Sequence, residues 1–202
     1  MNLSNSGSAG LATAQEVTVQ ERAQCHLYLK QTQDCLAGAI KSLSPAQWTH
    51  APGPEQWSIS LIVDHIVFVM ERVSGPLRQV IGQAPAPPAN RDYKLIDSMI
   101  INQFPNRLTK FPVPEFAIPV GRFASPSEAL GAASKAYAAL RDFLDSTPDL
   151  REHALEAAPL KAVSAGAHTM MDGYQWILAA AAHTERHTKQ ILEVKADENL
   201  PA

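Results

Sequence analysis

Apolar positions recur at intervals of three and four over most of the chain, so the sequence predicts helices separated by proline-marked breaks. Residues 17–43 carry Ala23, Leu27, Leu36, Ile40 and Leu43 at helical spacing, and the pattern stops where Ser44 and Pro45 follow. A Pro/Gly-punctuated connector, residues 51–56, leads to Trp57 and Ser58, and Ser58 is placed to cap a second helix over 58–81. The first half of that helix is apolar almost all round, which requires burial on several sides. From 82 to 125 the pattern breaks, because Pro85, Pro87, Pro88, Pro105, Pro112, Pro114 and Pro119 exclude a continuous helix. Residues 93–102 predict a short helix inside this crossover. Phe104, Phe111, Phe116 and Phe123 are expected to pack the crossover onto the rest of the chain as a lid or wall. Ser125-Pro126-Ser127-Glu128 has the form of a capping box with proline at the first helical position, opening a third helix through Ser146. After a loop over 147–168, a last helix is predicted over 169–196, with Trp176, Ile177 and an alanine run at 179–182. Four long helices with one long crossover between the second and third predict an all-α four-helix bundle.

Composition narrows the picture. A chain of 202 residues with 46% hydrophobic and 18% charged residues suits a single domain with one core. A formal charge of -3 without a Lys/Arg cluster weighs against a nucleic-acid partner. The most apolar stretch, 59–73, is interrupted by Asp64, His65, Glu71 and Arg72, so no membrane-spanning helix is expected. Residues 1–15 are polar, lack the basic and apolar regions of a signal peptide and read as a flexible N-terminal segment, which makes the expected location cytoplasmic. Cys25 and Cys35 stand ten residues apart on one predicted helix. That spacing is about 15 Å, too long for a disulfide. Both thiols are therefore expected as small buried hydrophobes, in keeping with a reducing compartment.

The candidate chemistry lies in the histidines. His65 shares its helix face with Leu61, Ile62, Phe68 and Val69, so its imidazole points toward the core. A neutral histidine satisfied by one carbonyl would also suit that position. His183 and His187 lie one turn apart on the stripe that holds Trp176, Ala179, Ala180, Ile191 and Val194. Two imidazoles so placed can both reach an ion about 2.1 Å from each nitrogen. Three buried imidazoles without a ligand would leave polar nitrogens needing partners, and burial would oppose their protonation. One divalent metal ion shared by His65, His183 and His187 answers all three demands. His26, His50, His153 and His168 are expected at the surface.

No G-x-S-x-G, P-loop or paired-carboxylate pattern appears, so no catalytic residue is assigned. Glu185 lies about 200° round the helix from His183, which excludes the H-E-x-x-H protease arrangement. Gln190 is a candidate to support His187, with simple packing as the alternative. Asp64 is expected to point away from its neighbour His65. Trp48, Trp57 and Trp176 are expected in core and rim packing.

Trp57-Ser58 leading into a helix with His65, and later His183-Thr184-Glu185-Arg186-His187 followed by Gln190-Ile191, resembles the DinB-like superfamily. The resemblance implies a four-helix bundle with a long connection between its second and third helices. It also implies three histidines holding a divalent metal with one or more open positions. Similar proteins include bacillithiol- or mycothiol-dependent transferases and isomerases, and others regarded as hydrolases. What the resemblance implies is thus a metal-dependent enzyme that transfers a small thiol or hydrolyses a small substrate. The alternatives are a non-catalytic metal-binding protein and a helical module that acts by dimerising. Three imidazoles suit zinc or nickel first, then iron or copper. The expected partners are a small-molecule substrate, which could include a low-molecular-weight thiol, and a second copy of the chain in a homodimer.

Overall fold

Thr18 closes a capping box on Glu21 and starts helix α1, Val19–Ile40, whose inner face is Cys25, Leu29, Leu36 and Ile40. The structure, a computed structural model, describes residues 16–202, and the expected flexible segment 1–15 lies outside the described residues. Ser44 and Gln47 form a second capping box at a short helix, α2, Pro45–Thr49, which buries Trp48. Ser58 caps α3, Ile59–Arg72, as its position predicts, and Ile59, Ile62, Val63, Ile66, Val67 and Met70 go into the core. The single helix expected over 58–81 is broken by a π-helical turn, Val73–Leu77, before α4, Arg78–Ile81. Pro76 explains the break. It has no N–H, and its ring would collide with the carbonyl four residues back in a regular helix, so the wider turn relieves both conflicts.

Inside the crossover α5 runs Tyr93–Gln103, followed by a 3-10 turn at Glu115–Ala117. Of its phenylalanines, Phe104 is buried and Phe123 packs on the core, whereas Phe116 is 65% exposed, contrary to the packing expected of all four. Ser125 accepts the Glu128 N–H and opens α6, Pro126–Ser146. The region expected as a plain loop holds a strand, β1, Ala154–Glu156, and a short helix, α7, Ala158–Val163. β1 pairs antiparallel with β2, Met170–Asp172, with Ala154 opposite Asp172 and Leu155 opposite Met171. The last helix, α8, is therefore Gly173–Lys195 and starts four residues later than the sequence suggests. Asp172, closing a capping box with Gln175, is the true cap, and residues 170–172 are drawn into the strand pair.

Among the described residues α1, α3, α6 and α8 are the long helices. α1 packs on α8 and α6, α3 packs on α6 and α8, and α5 lies along α8. This is the all-α four-helix bundle with a crossover between its second and third long helices. None of the described helices is long and apolar enough to cross a membrane. Both cysteines are free; burial pushes the Cys25 thiol up to about 12, while Cys35 is exposed and departs from the expected burial.

The start of α8 fits tightly against residue 150. Gly173 N–H donates to the Leu150 carbonyl at 2.7 Å, and a Cβ on Gly173 would stand 2.8 Å from Leu150 Cδ2 and 3.1 Å from that carbonyl oxygen. Gly173→Ala is expected to cost about 1–3 kcal/mol through overpacking, read as a lower urea midpoint. An unchanged midpoint would show that residue 150 gives way freely.

Candidate metal centre

Three histidines from the middle of two helices meet inside the bundle. His65 comes from α3 and is buried; His183 and His187 come from α8, one turn apart. Their ring centroids are 4.8 Å (His65 to His183), 4.9 Å (His65 to His187) and 4.3 Å (His183 to His187) apart. One nitrogen from each lies within 4.8 Å of the others. His65 Nε2 and His183 Nε2 are 3.0 Å apart. Nitrogens on a tetrahedral ion at 2.0–2.1 Å would be about 3.3 Å apart, so the rings need little adjustment to share one.

The outer nitrogens decide which way the lone pairs face. His65 Nδ1–H donates to the carbonyl of Ala117 at 2.8 Å, and a carbonyl can only accept, so the proton is on Nδ1 and Nε2 carries the lone pair. His187 Nδ1–H donates to Gln190 Oε1 at 2.8 Å, with the same consequence. Gln190, expected either as a support for His187 or as packing, is thus its hydrogen-bond partner. His183 Nδ1 is enclosed and has no partner among the described residues. His65 and His187 thus turn their Nε2 lone pairs toward the space that His183 Nε2 also faces, and three inward imidazole nitrogens fit a donor set for a cation.

Electrostatics agree. Burial lowers the pKa of His65, although the Ala117 carbonyl and Asp64 act the other way. Burial, with the neighbouring imidazoles, holds His183 well below its ordinary value, and burial with His65 brings His187 down to about 3. All three rings are therefore neutral at pH 7, the form in which imidazole binds metals.

The remaining expected residues sort as follows. Trp57 packs beside His65, ring centroids 5.0 Å apart, and so walls the site as well as the core. Glu185 turns away, accepting from Tyr28 Oη at 2.8 Å and pairing with Lys189 at 2.7 Å. His26 pairs with Asp145, His50 lies 3.5 Å from Asp197, and His153 donates from Nδ1 to the Ala84 carbonyl. His153 also stands with Asp149 and Glu152 in a second cluster among the described residues, whose two carboxylates are exposed.

Asp64 does point away from His65, to a partner the sequence does not reveal. Its carboxylate accepts the backbone N–H groups of Val120, Gly121 and Arg122 at 3.0, 2.8 and 3.2 Å and pairs with the Arg122 guanidinium. Burial alone would raise this carboxyl, but those hydrogen bonds outweigh it and hold the pKa below the usual range. The clasp fixes the strand of crossover that follows the Ala117 carbonyl. Asp64→Asn is expected to cost about 2 kcal/mol, since hydrogen bonds to a charged acceptor are the strong ones. Urea denaturation at neutral pH checks this, and a loss below half that size would show the clasp to be weak.

The sequence profile of the DinB superfamily matches residues 28–191, a span that includes all three histidines, the whole of α3 and all but the last turn of α8. Comparison with curated proteins and with solved structures returns no match.

Proposed function

The chain belongs to the DinB superfamily, and from that membership we propose that it is a metal-dependent enzyme that transfers a small thiol or hydrolyses a small substrate. The observation that supports this most is the convergence of His65, His183 and His187, two of them turned by carbonyl-type partners so that Nε2 faces inward. These three residues would hold the ion, zinc or nickel suiting an all-imidazole set best. When bound, a divalent cation supplies Lewis acidity that lets water or a thiol lose a proton near neutral pH.

The chain's own residues supply orientation and enclosure. Ala117 and Gln190 hold the rings of His65 and His187, and Trp57 covers one side of His65. Among the described residues the cluster is of imidazoles alone, with no carboxylate oxygen within 4.8 Å of all three donors. That favours a reaction in which the nucleophile is activated by the cation. It disfavours one driven by a carboxylate base.

The test is turnover by the zinc- or nickel-loaded chain against two panels: low-molecular-weight thiols with electrophilic acceptors, and small esters and amides. Metal-dependent turnover in either panel, absent from His65→Ala and His187→Ala, is the expected result. A loaded protein that melts at a higher temperature yet turns over nothing would contradict the enzymatic reading and leave the ion a structural role.

A further inference from the structure

Two of the three imidazoles are held, directly or at one remove, by the proline-rich crossover. The Ala117 carbonyl takes the Nδ1–H of His65. On the other side, Gln190 Oε1 takes the Nδ1–H of His187, and Arg107 Nη1 donates to that same oxygen at 3.3 Å. Arg107 is held in place by Glu193, with Nε and Nη2 donating to its two oxygens at 3.2 and 2.9 Å. Arginine has donors only, so Gln190 must turn its oxygen and not its amide nitrogen toward Arg107. The same oxygen can then only accept from His187, which keeps the proton on Nδ1 and leaves Nε2 free for a ligand.

The segment that carries Arg107 is bound to α8 independently of the histidines. Arg186 donates to the carbonyls of Phe104, Asn106 and Thr109, and its guanidinium lies 4.9 Å from the Phe111 ring. The far end of the crossover is clasped by Asp64 through Val120, Gly121 and Arg122. A chain loop thus spans from a contact behind one imidazole to a contact behind another.

We infer that Arg107 is a positioning residue for the triad, and that docking of residues 104–122 and capture of a cation by His65, His183 and His187 form one coupled equilibrium. The inference rests on reading the triad as a metal site. Coupling of this kind is reciprocal: a bound cation holds the crossover down, and freeing the crossover weakens the cation by the same factor. Loss of a partner that directly contacts a ligand lowers metal affinity about 10- to 100-fold, and Arg107 acts one bond further out, so about threefold to tenfold is expected. Its ion pair with Glu193 is solvent-facing, 30% and 55% exposed, and such pairs add little to folding. The melting of the metal-free protein should accordingly be unchanged when Arg107 is replaced.

The experiment measures zinc affinity by competition with a chromophoric chelator for the full chain, Arg107→Met and Arg107→Lys, alongside hydrogen exchange over 104–122 with and without zinc. Expected are about threefold to tenfold weaker binding in Arg107→Met, partial recovery in Arg107→Lys, and zinc-induced protection of the crossover that shrinks in Arg107→Met. Equal zinc affinity in wild type and Arg107→Met, or crossover exchange indifferent to zinc, would overturn the coupling while leaving the triad as a metal site. A wild-type chain that takes up no zinc would overturn the reading of the triad, and this inference with it.

Discussion

Arg151→Ala is expected to cost about 3–5 kcal/mol of folding stability, the usual result of removing one side of a buried ionic cluster. The Arg151 side chain is 1% exposed and serves three carboxylates: Nη2 lies 3.0 Å from Glu21 and 2.7 Å from Asp97, and Nη1 lies 3.2 Å from Asp172. Its guanidinium also lies over the rings of Tyr174 and Tyr93, at 4.5 and 5.2 Å. The cluster joins the start of α1, the middle of α5 and the cap of α8, so it holds three elements at the end of the bundle. Without Arg151, Arg91, 4.0 Å away, is the cationic partner left to the fully buried Asp172 among the described residues.

The cluster also carries a pH signature. Burial works to raise Glu21, but its bonds to Thr18 and the charge of Arg151 outweigh that and hold its carboxyl below the usual range. Its contribution is present above the unfolded value of about 4.3 and is lost as pH falls through the folded pKa. Asp172 goes the other way, pushed up to about 6 by burial that Arg151, the Gln175 backbone N–H and Arg91 only partly offset. The cost of ionising it grows as pH rises from about 3.9 to 6, and it grows further once Arg151 is gone. The stability gap between wild type and Arg151→Ala therefore opens in two steps: Glu21 contributes as pH rises toward about 4.3, and Asp172 contributes above about pH 6, where the wild type ionises it and the variant still resists. Urea denaturation of both proteins between pH 3.5 and 7.5, in steps of about half a unit, reads the gap; a pH-independent gap would show that packing alone sets it.

The second large effect is on thermal stability with metal. At a free zinc or nickel concentration about 1,000 times the dissociation constant, linkage predicts about 4 kcal/mol of added stability. For a chain of this length that corresponds to a rise of roughly 8–16 °C in melting temperature. Chelation should reverse it. His187→Ala and His65→Ala should lose most of that rise, because each removes one of three inward donors; an affinity about 100-fold weaker leaves roughly 10 times the dissociation constant, about 1.4 kcal/mol and roughly 3–6 °C. A full shift in either variant would place the stabilising ion elsewhere on the chain.

Much of this architecture is legible in local patterns. Ser58 and Ser125 cap the helices their sequence context predicts, and the four long periodic segments are the four helices of the bundle. The triad is legible for the same reason: His183 and His187 share a helix face whose neighbours are Ala179, Ala180 and Ile191, and His65 sits among Ile62 and Ile66, so all three must point inward. The DinB-like resemblance seen in Trp57-Ser58, His65 and His183-Thr184-Glu185-Arg186-His187 is matched by the family profile over most of the chain.

What was not legible depends on contacts between distant segments. The partner of His65 is a backbone carbonyl at Ala117, and a carbonyl leaves no mark on residue type. Arg107 is one arginine in an aperiodic, proline-rich stretch, so nothing local distinguishes it from a solvated side chain. Asp64 is readable as turning away from His65, yet its acceptance of three N–H groups from 120–122 depends on how the crossover returns. Two features could have been found: Pro76 inside the second helix signals the π-helical turn, and Asp172 with Gln175 has capping-box spacing that competes with a start at residue 169.

The central claim, one cation held by His65, His183 and His187, is tested most directly by elemental analysis of the untagged protein beside His65→Ala, His187→Ala and His153→Ala. The account predicts about one divalent cation per chain in the wild type and in His153→Ala, and none in the two triad variants. A wild-type protein that stays metal-free after incubation with zinc or nickel would contradict it, as would metal retained by His65→Ala and His187→Ala but lost from His153→Ala, which would place the ion at the Asp149, Glu152 and His153 cluster instead.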